Sequence, residues 1–81
     1  ARNAVGDDGA IAIAGSPNMQ NLETLILIDN GISDQGAKAL AESPYLNSLT
    51  WLWLEDNRDI SHTGREALIS RFGKRVEFHV G

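Results

Sequence analysis

The chain has 81 residues, 42% of them apolar and 22% charged, with no cysteine and a formal net charge of −4. That length permits one small domain with a marginal core. The composition excludes a disulfide framework and a thiolate metal site, the acidic balance argues against general affinity for nucleic acid, and no apolar run is long enough to span a membrane.

The chain opens with Asn3-Ala-Val5-Gly-Asp7-Asp-Gly9-Ala10, and this pattern returns at Asn30-Gly-Ile32-Ser-Asp34-Gln-Gly36-Ala37. A helix is predicted over roughly 7–15, followed by Ser16-Pro17. Next comes a short strand centred on Leu25–Leu27. These two leucines are two residues apart and face one side, while Thr24, Ile26 and Ile28 face the other. Asn30 sits where the chain must leave the strand, and its side chain can bond backbone groups that a turn leaves unpaired.

Ser33 is a suitable N-cap for a second helix over 33–42, with Ala37, Leu40 and Ala41 on one face. Pro44 prevents its continuation. From Leu49 the pattern repeats in register. Leu52 and Leu54 alternate with Trp51, Trp53 and Glu55, Asn57 matches Asn30, and Ser61 opens a third helix over 61–72. Gly73 is a usual helix stop, and Val76-Glu-Phe78-His-Val80 alternates as a last strand.

Residues 22–46 thus recur at 49–72, and a period of this length signals a stacked repeat. The spacing Leu-x-x-Leu-x-Leu-x-x-Asn-x-Ile resembles the leucine-rich repeat family over nearly the whole chain. Its repeat length, its helix and its Ser16-Pro17 and Ser43-Pro44 pairs resemble the ribonuclease-inhibitor-like subclass of bacterial type. The resemblance implies an α/β solenoid, a right-handed βα superhelix with a short parallel sheet on its concave side and helices on its convex side. It also implies that Asn30 and Asn57 belong to a stacked ladder. The expected organisation is a single domain, with a partial repeat at 1–20, repeats at 21–47 and 48–75, and a terminal strand cap at 76–81.

The opening lacks the strand of its repeat, so the chain reads as a C-terminal fragment of a longer protein. Its front should expose Val5, Ile11, Met19, Leu22 and Leu25, a surface suited to self-association. No signal peptide is visible, which together with the lack of cysteine favours the cytoplasm.

Solenoids present surfaces, and the expected function is a non-catalytic scaffold binding a protein partner on the sheet face. Trp51 and Trp53 are the anchors, Ile26 and Ile28 their neighbours, and Glu55 and Asp56 the rim, because exposed aromatic patches mark interaction sites. The competing reading has these rings packing only on adjacent strands. A second alternative makes the chain a structural cap of a longer array, or of a multidomain protein whose activity lies elsewhere.

Other chemistry finds little support. Asp29, Glu55, Asp56 and Asp59 read as a solvated rim rather than a calcium site. His62 and His79 are too few for a metal centre, so no cofactor is expected. The serines fall at caps and turns, without a nucleophile elbow. Gly9, Gly36 and Gly64 share one repeat position, which suggests close packing against the next coil rather than a phosphate loop. Arg71, Lys74 and Arg75 suit the end of a helix, where cations complement its dipole.

Overall fold

The computed structural model describes residues 6–28, 31–55, 57 and 59–79. Strand and helix alternate along them. Helix α1 (Gly6–Ala14) is followed by a 3-10 turn (Pro17–Asn21), strand β1 (Thr24–Ile28), helix α2 (Asp34–Glu42), strand β2 (Trp51–Glu55), helix α3 (His62–Phe72), a second 3-10 turn (Gly73–Arg75) and strand β3 (Val76–His79). Neither 3-10 turn is anticipated by the repeat pattern. Pro17 opens the first, where its fixed φ and missing N–H cost nothing.

The strands form one parallel sheet in the order β1-β2-β3. Leu25 pairs with Leu52, Leu27 with Leu54, Leu52 with Val76 and Leu54 with Phe78. Helices connect successive strands, as parallel pairing requires. Because side chains alternate along a strand, this register stacks the leucines of successive coils on the helix side.

Equivalent positions of successive coils meet in the core. Ile32 and Ile60 follow the turns, Leu40 and Leu68 line α2 and α3, and Leu49, Leu52 and Leu54 come from the second repeat; all are buried. Each such side chain contributes about 1.5–3 kcal/mol when removed from water. Ala10 and Ala37 are fully buried, and their small size lets adjacent helices lie close.

The two ends of the stack differ. Toward β1, Leu25 is half-buried although its equivalent Leu52 is wholly buried, and Met19 and Leu22 are also half-buried. Ile11 on α1 is 40% exposed. Of the expected front residues, Ile11 is exposed, Met19, Leu22 and Leu25 are only partly so, and Val5 lies outside the described residues. Toward β3, arginines cover the aromatic rings. Arg65 lies 5.2 Å over Phe78, and Arg71 and Arg75 lie 5.0 and 5.6 Å over Phe72.

Candidate protein-binding face and the rungs that hold it

Alternation along β1 and β2 sends Thr24, Ile26, Trp51, Trp53 and Glu55 to the side opposite the buried leucines. Ile26 is 57% exposed and Trp51 45%, whereas Trp53 and Glu55 are half-buried. The two indoles are 5.9 Å apart between centroids and tilted by 44°, within the range where aromatic pairs attract. Trp53 Nε1 donates to Glu55 Oε1 at 3.0 Å. Ile26 pairs in register with Trp53, and Trp53 with Glu77.

Four of the six residues singled out from the sequence therefore share one open face. Ile28 pairs with Glu55 through the backbone, but its side chain lies outside the described residues, as do Asp56 and the ladder residue Asn30. The strands run parallel, as the resemblance implies, and neither indole enters the core.

Behind this face, Asn57 holds two coils together. It is buried, and its Nδ2 donates to the Leu27 carbonyl of the preceding strand at 2.8 Å and to the Glu55 carbonyl at 3.2 Å. The Ile32 N–H donates to its Oδ1 at 3.3 Å. One amide thus satisfies groups at the exit of β1 and of β2, where the chain leaves the sheet and a buried unpaired group would be costly.

A second set of rungs runs along the helix starts. The Ser33 N–H and Gly36 N–H donate to Asp7 Oδ1 at 2.8 and 2.9 Å, and the Ser33 hydroxyl donates to Asp7 Oδ2 at 2.5 Å. One coil later, the Ser61 N–H donates to Asp34 Oδ1 at 2.7 Å and its hydroxyl to Asp34 Oδ2. An acid in the first turn of one helix therefore supplies the acceptor for the first turn of the next, where a negative charge also meets the positive end of the helix dipole.

These bonds are reflected in acidity. Burial alone would raise the Asp7 pKa, but the bonds from the Ser33 hydroxyl, the Ser33 N–H and the Gly36 N–H outweigh it and hold the carboxyl below its ordinary value. For Asp34 the Ser61 hydroxyl acts most, then the Ser61 N–H, and the result is again a lowered pKa.

The rungs amend several expectations. Ser61 does not cap its own helix through its side chain. Its hydroxyl is a donor to Asp34, and the capping acceptor comes from the preceding coil. Ser33 does both, since its Oγ also accepts from the Gln35 N–H at 3.3 Å. His62, at the helix position that Asp34 holds one coil earlier, lies 3.8 Å from Glu66 of its own helix. Gly36 and Gly64 are indeed packing glycines, but the nearest atom to an added Cβ is the carboxylate of the preceding coil, Asp7 or Asp34.

A third inter-coil tie closes the helix ends. The Ser43 hydroxyl donates at 2.6 Å to the carbonyl of Ala14, the last residue of α1. Arg71 follows 28 residues later and treats α2 alike, donating to the Leu40 and Ala41 carbonyls at 3.2 Å each and to the Ser43 carbonyl. For Arg71 the expected dipole role is thus exerted on the preceding helix. Arg75 serves its own helix, through bonds to the Phe72 and Arg71 carbonyls, and reaches the Leu49 carbonyl at 3.0 Å.

Among the described residues no group of three metal-ligating side chains converges, and no helix is long and apolar enough to cross a membrane. A shallow groove between α2 and α3 is lined by Asp34, Lys38, Glu42, Thr63 and Ala67. It has no buried polar group that would orient a ligand.

Comparison with known families agrees with this architecture. The model described as Leucine Rich repeat matches residues 1–14 and 18–41. The match falls in the first half of the chain and supports a leucine-rich repeat family. No curated protein and no solved structure gives a significant match. Leucine-rich repeats are generally non-catalytic modules for protein–protein interaction, and the three-stranded parallel sheet with its helices fits that α/β repeat fold.

Proposed function

We propose that this chain binds a protein partner on the sheet face that carries Trp51, Trp53 and Ile26, with Glu55 at its rim and Ile28 and Asp56 adjoining in sequence. On this reading the coils wind as a right-handed solenoid of the ribonuclease-inhibitor-like subclass, with this face concave. The supporting observation is the exposure of Ile26 and Trp51, diagonal neighbours on the sheet face opposite the buried Leu27, Leu52 and Leu54. Large apolar side chains on an open face are the usual anchors of an interface. The tilt of Trp51 against Trp53 favours the competing view that the rings serve the sheet itself, but this contact still leaves nearly half of Trp51 in solvent.

The test is retention of proteins from a lysate of the source cells by the immobilised chain. Three baits are compared: the native chain, the Trp51→Ala/Trp53→Ala variant and a helix-side variant, Ile69→Ser. Proteins held by the first and third but not by the second support the sheet face. Equal loss in both variants overturns it, as does unfolding of the tryptophan variant, which would make the rings part of the structural core.

A second reading concerns the other apolar surface. Ile11 is exposed, and Met19, Leu22 and Leu25 are half-buried beside the edge strand β1. An unpaired parallel edge beside apolar side chains is a template for association, so we propose that isolated chains self-associate through this front. Light scattering across a concentration series checks it: a dimer lost in Leu25→Glu is expected, and a monomer at every concentration refutes it.

A further inference from the structure

The sheet face has a chemical character beyond its apolarity. Strands β1, β2 and β3 contain no lysine or arginine. Glu55 lies on β2 and Glu77 on β3, and both alternate with the buried positions. His79 holds the register position opposite Glu55. The arginines with described contacts are engaged off this face. Arg65 lies over Phe78, Arg71 bonds the end of α2, and Arg75 bonds the end of α3. Lys38 is on α2, and Lys74 is in the second 3-10 turn. The face thus joins two indoles to carboxylates on a chain of net charge −4.

Resting on the sheet-face reading, we propose that the partner presents a basic segment, one arginine of which lies along Trp51 and Trp53 with its guanidinium held by Glu55. The dimensions suit this. Alternate residues of a strand are about 7 Å apart, close to the reach of an extended arginine side chain. A stem resting on Trp51 therefore carries its head over Trp53, beside Glu55. The guanidinium plane stacks on an indole and forks toward a carboxylate. An ionised carboxylate has several lone pairs, so the bond from Trp53 Nε1 leaves Glu55 able to accept again. Lysine, a compact and strongly hydrated charge, would use the stacking surface less well. An acidic partner would meet like charge.

The probes are the peptide acetyl-Gly-Leu-Arg-Leu-Gly-amide and its citrulline counterpart, which has nearly the same shape but no charge. Each is titrated into the chain while the backbone and indole N–H resonances are followed by NMR. The arginine peptide is expected to shift the Trp51 resonance and to bind about tenfold more tightly than the citrulline peptide. Glu55→Gln, which keeps an acceptor for Trp53 but removes the charge, should abolish that preference.

Equal binding of both peptides at Trp51 overturns the arginine assignment and leaves the sheet-face reading standing. So does a preference that survives in Glu55→Gln, because the charge would then be read elsewhere. Shifts confined to helix resonances overturn both the assignment and the face. If the arginine peptide leaves Trp51 unmoved, this inference falls and the sheet-face reading rests on the retention experiment.

Discussion

Asp7 Oδ1 accepts the backbone N–H of Gly36 at 2.9 Å, and a Cβ added at position 36 would lie 2.5 Å from the same oxygen. The absence of a side chain is therefore what lets the carboxylate of one coil reach the helix of the next. Ile32 Cγ2, at 2.8 Å from that Cβ, closes the other side.

Gly36→Ala is accordingly expected to destabilise the fold by about 1–3 kcal/mol, even though alanine is the better helix former by about 1 kcal/mol. Urea denaturation measures it. A gain in stability would show that the carboxylate moves aside freely. Gly64→Ala should cost less, because Ser61 and Asp34 are closer to solvent than the Asp7 rung.

Acid should weaken the Asp7 rung. A carboxyl with a lowered folded pKa contributes stability that is present above its ordinary value of about 3.9 and is lost as pH falls through the lower folded value. Asp34 adds to the same trend. Melting temperature should therefore drop as pH falls below about 4, and less steeply in Asp7→Asn. At pH 7 that variant should lose about 1–2 kcal/mol, the usual cost of a weakened cap. Identical acid profiles for the two proteins would refute the assignment.

Asn57→Ala should cost about 2–4 kcal/mol, because it strands the Leu27 carbonyl and the Ile32 N–H in the interior. Asn57→Asp should also destabilise, since it replaces the Nδ2 donor with an acceptor facing two carbonyls. Thermal or urea melts compare the two; a loss below about 0.5 kcal/mol would mean that water replaces the amide.

Arg71→Ala should lose about 1–2 kcal/mol, through the freed carbonyls at the end of α2 and the lost stacking on Phe72. Arg71→Lys should recover only part: the Leu40, Ala41 and Ser43 carbonyls all accept from Nη1, which an ammonium can imitate, but the Nη2 bond to Asn47 and the planar stacking on Phe72 are lost. Full recovery by lysine would reduce the role to charge alone. Hydrogen exchange at the last turn of α2 gives a local readout.

Much of the fold was legible because the repeat states it twice. Leu25 and Leu27, then Leu52 and Leu54, carry the strand period, and the buried Asn57 lies where the pattern puts the turn. The helix bounds differ from expectation by only a residue or so. What escaped was the relation between coils. Asp7 and Asp34 look like ordinary first-turn acids, because capping from another helix leaves no trace in the residues nearby. Their common position, with Gly36 and Gly64 following in the receiving coils, was the available signal. Arg71 was obscured differently: the same task falls to a hydroxyl at Ser43, so side-chain identity did not repeat although geometry did. For the candidate face, alternation alone placed Trp51, Trp53 and Ile26 outward, while the indole bond to Glu55 depends on rotamers that no spacing rule gives.

The helix-start rungs give the stack a direction. Asp7 serves α2 and Asp34 serves α3, so each coil borrows its acceptor from the one before it. Damage at α1 should loosen the start of α2, and a loosened α2 carries Asp34 away from α3. Fraying would then run one way along the chain, like a row of dominoes.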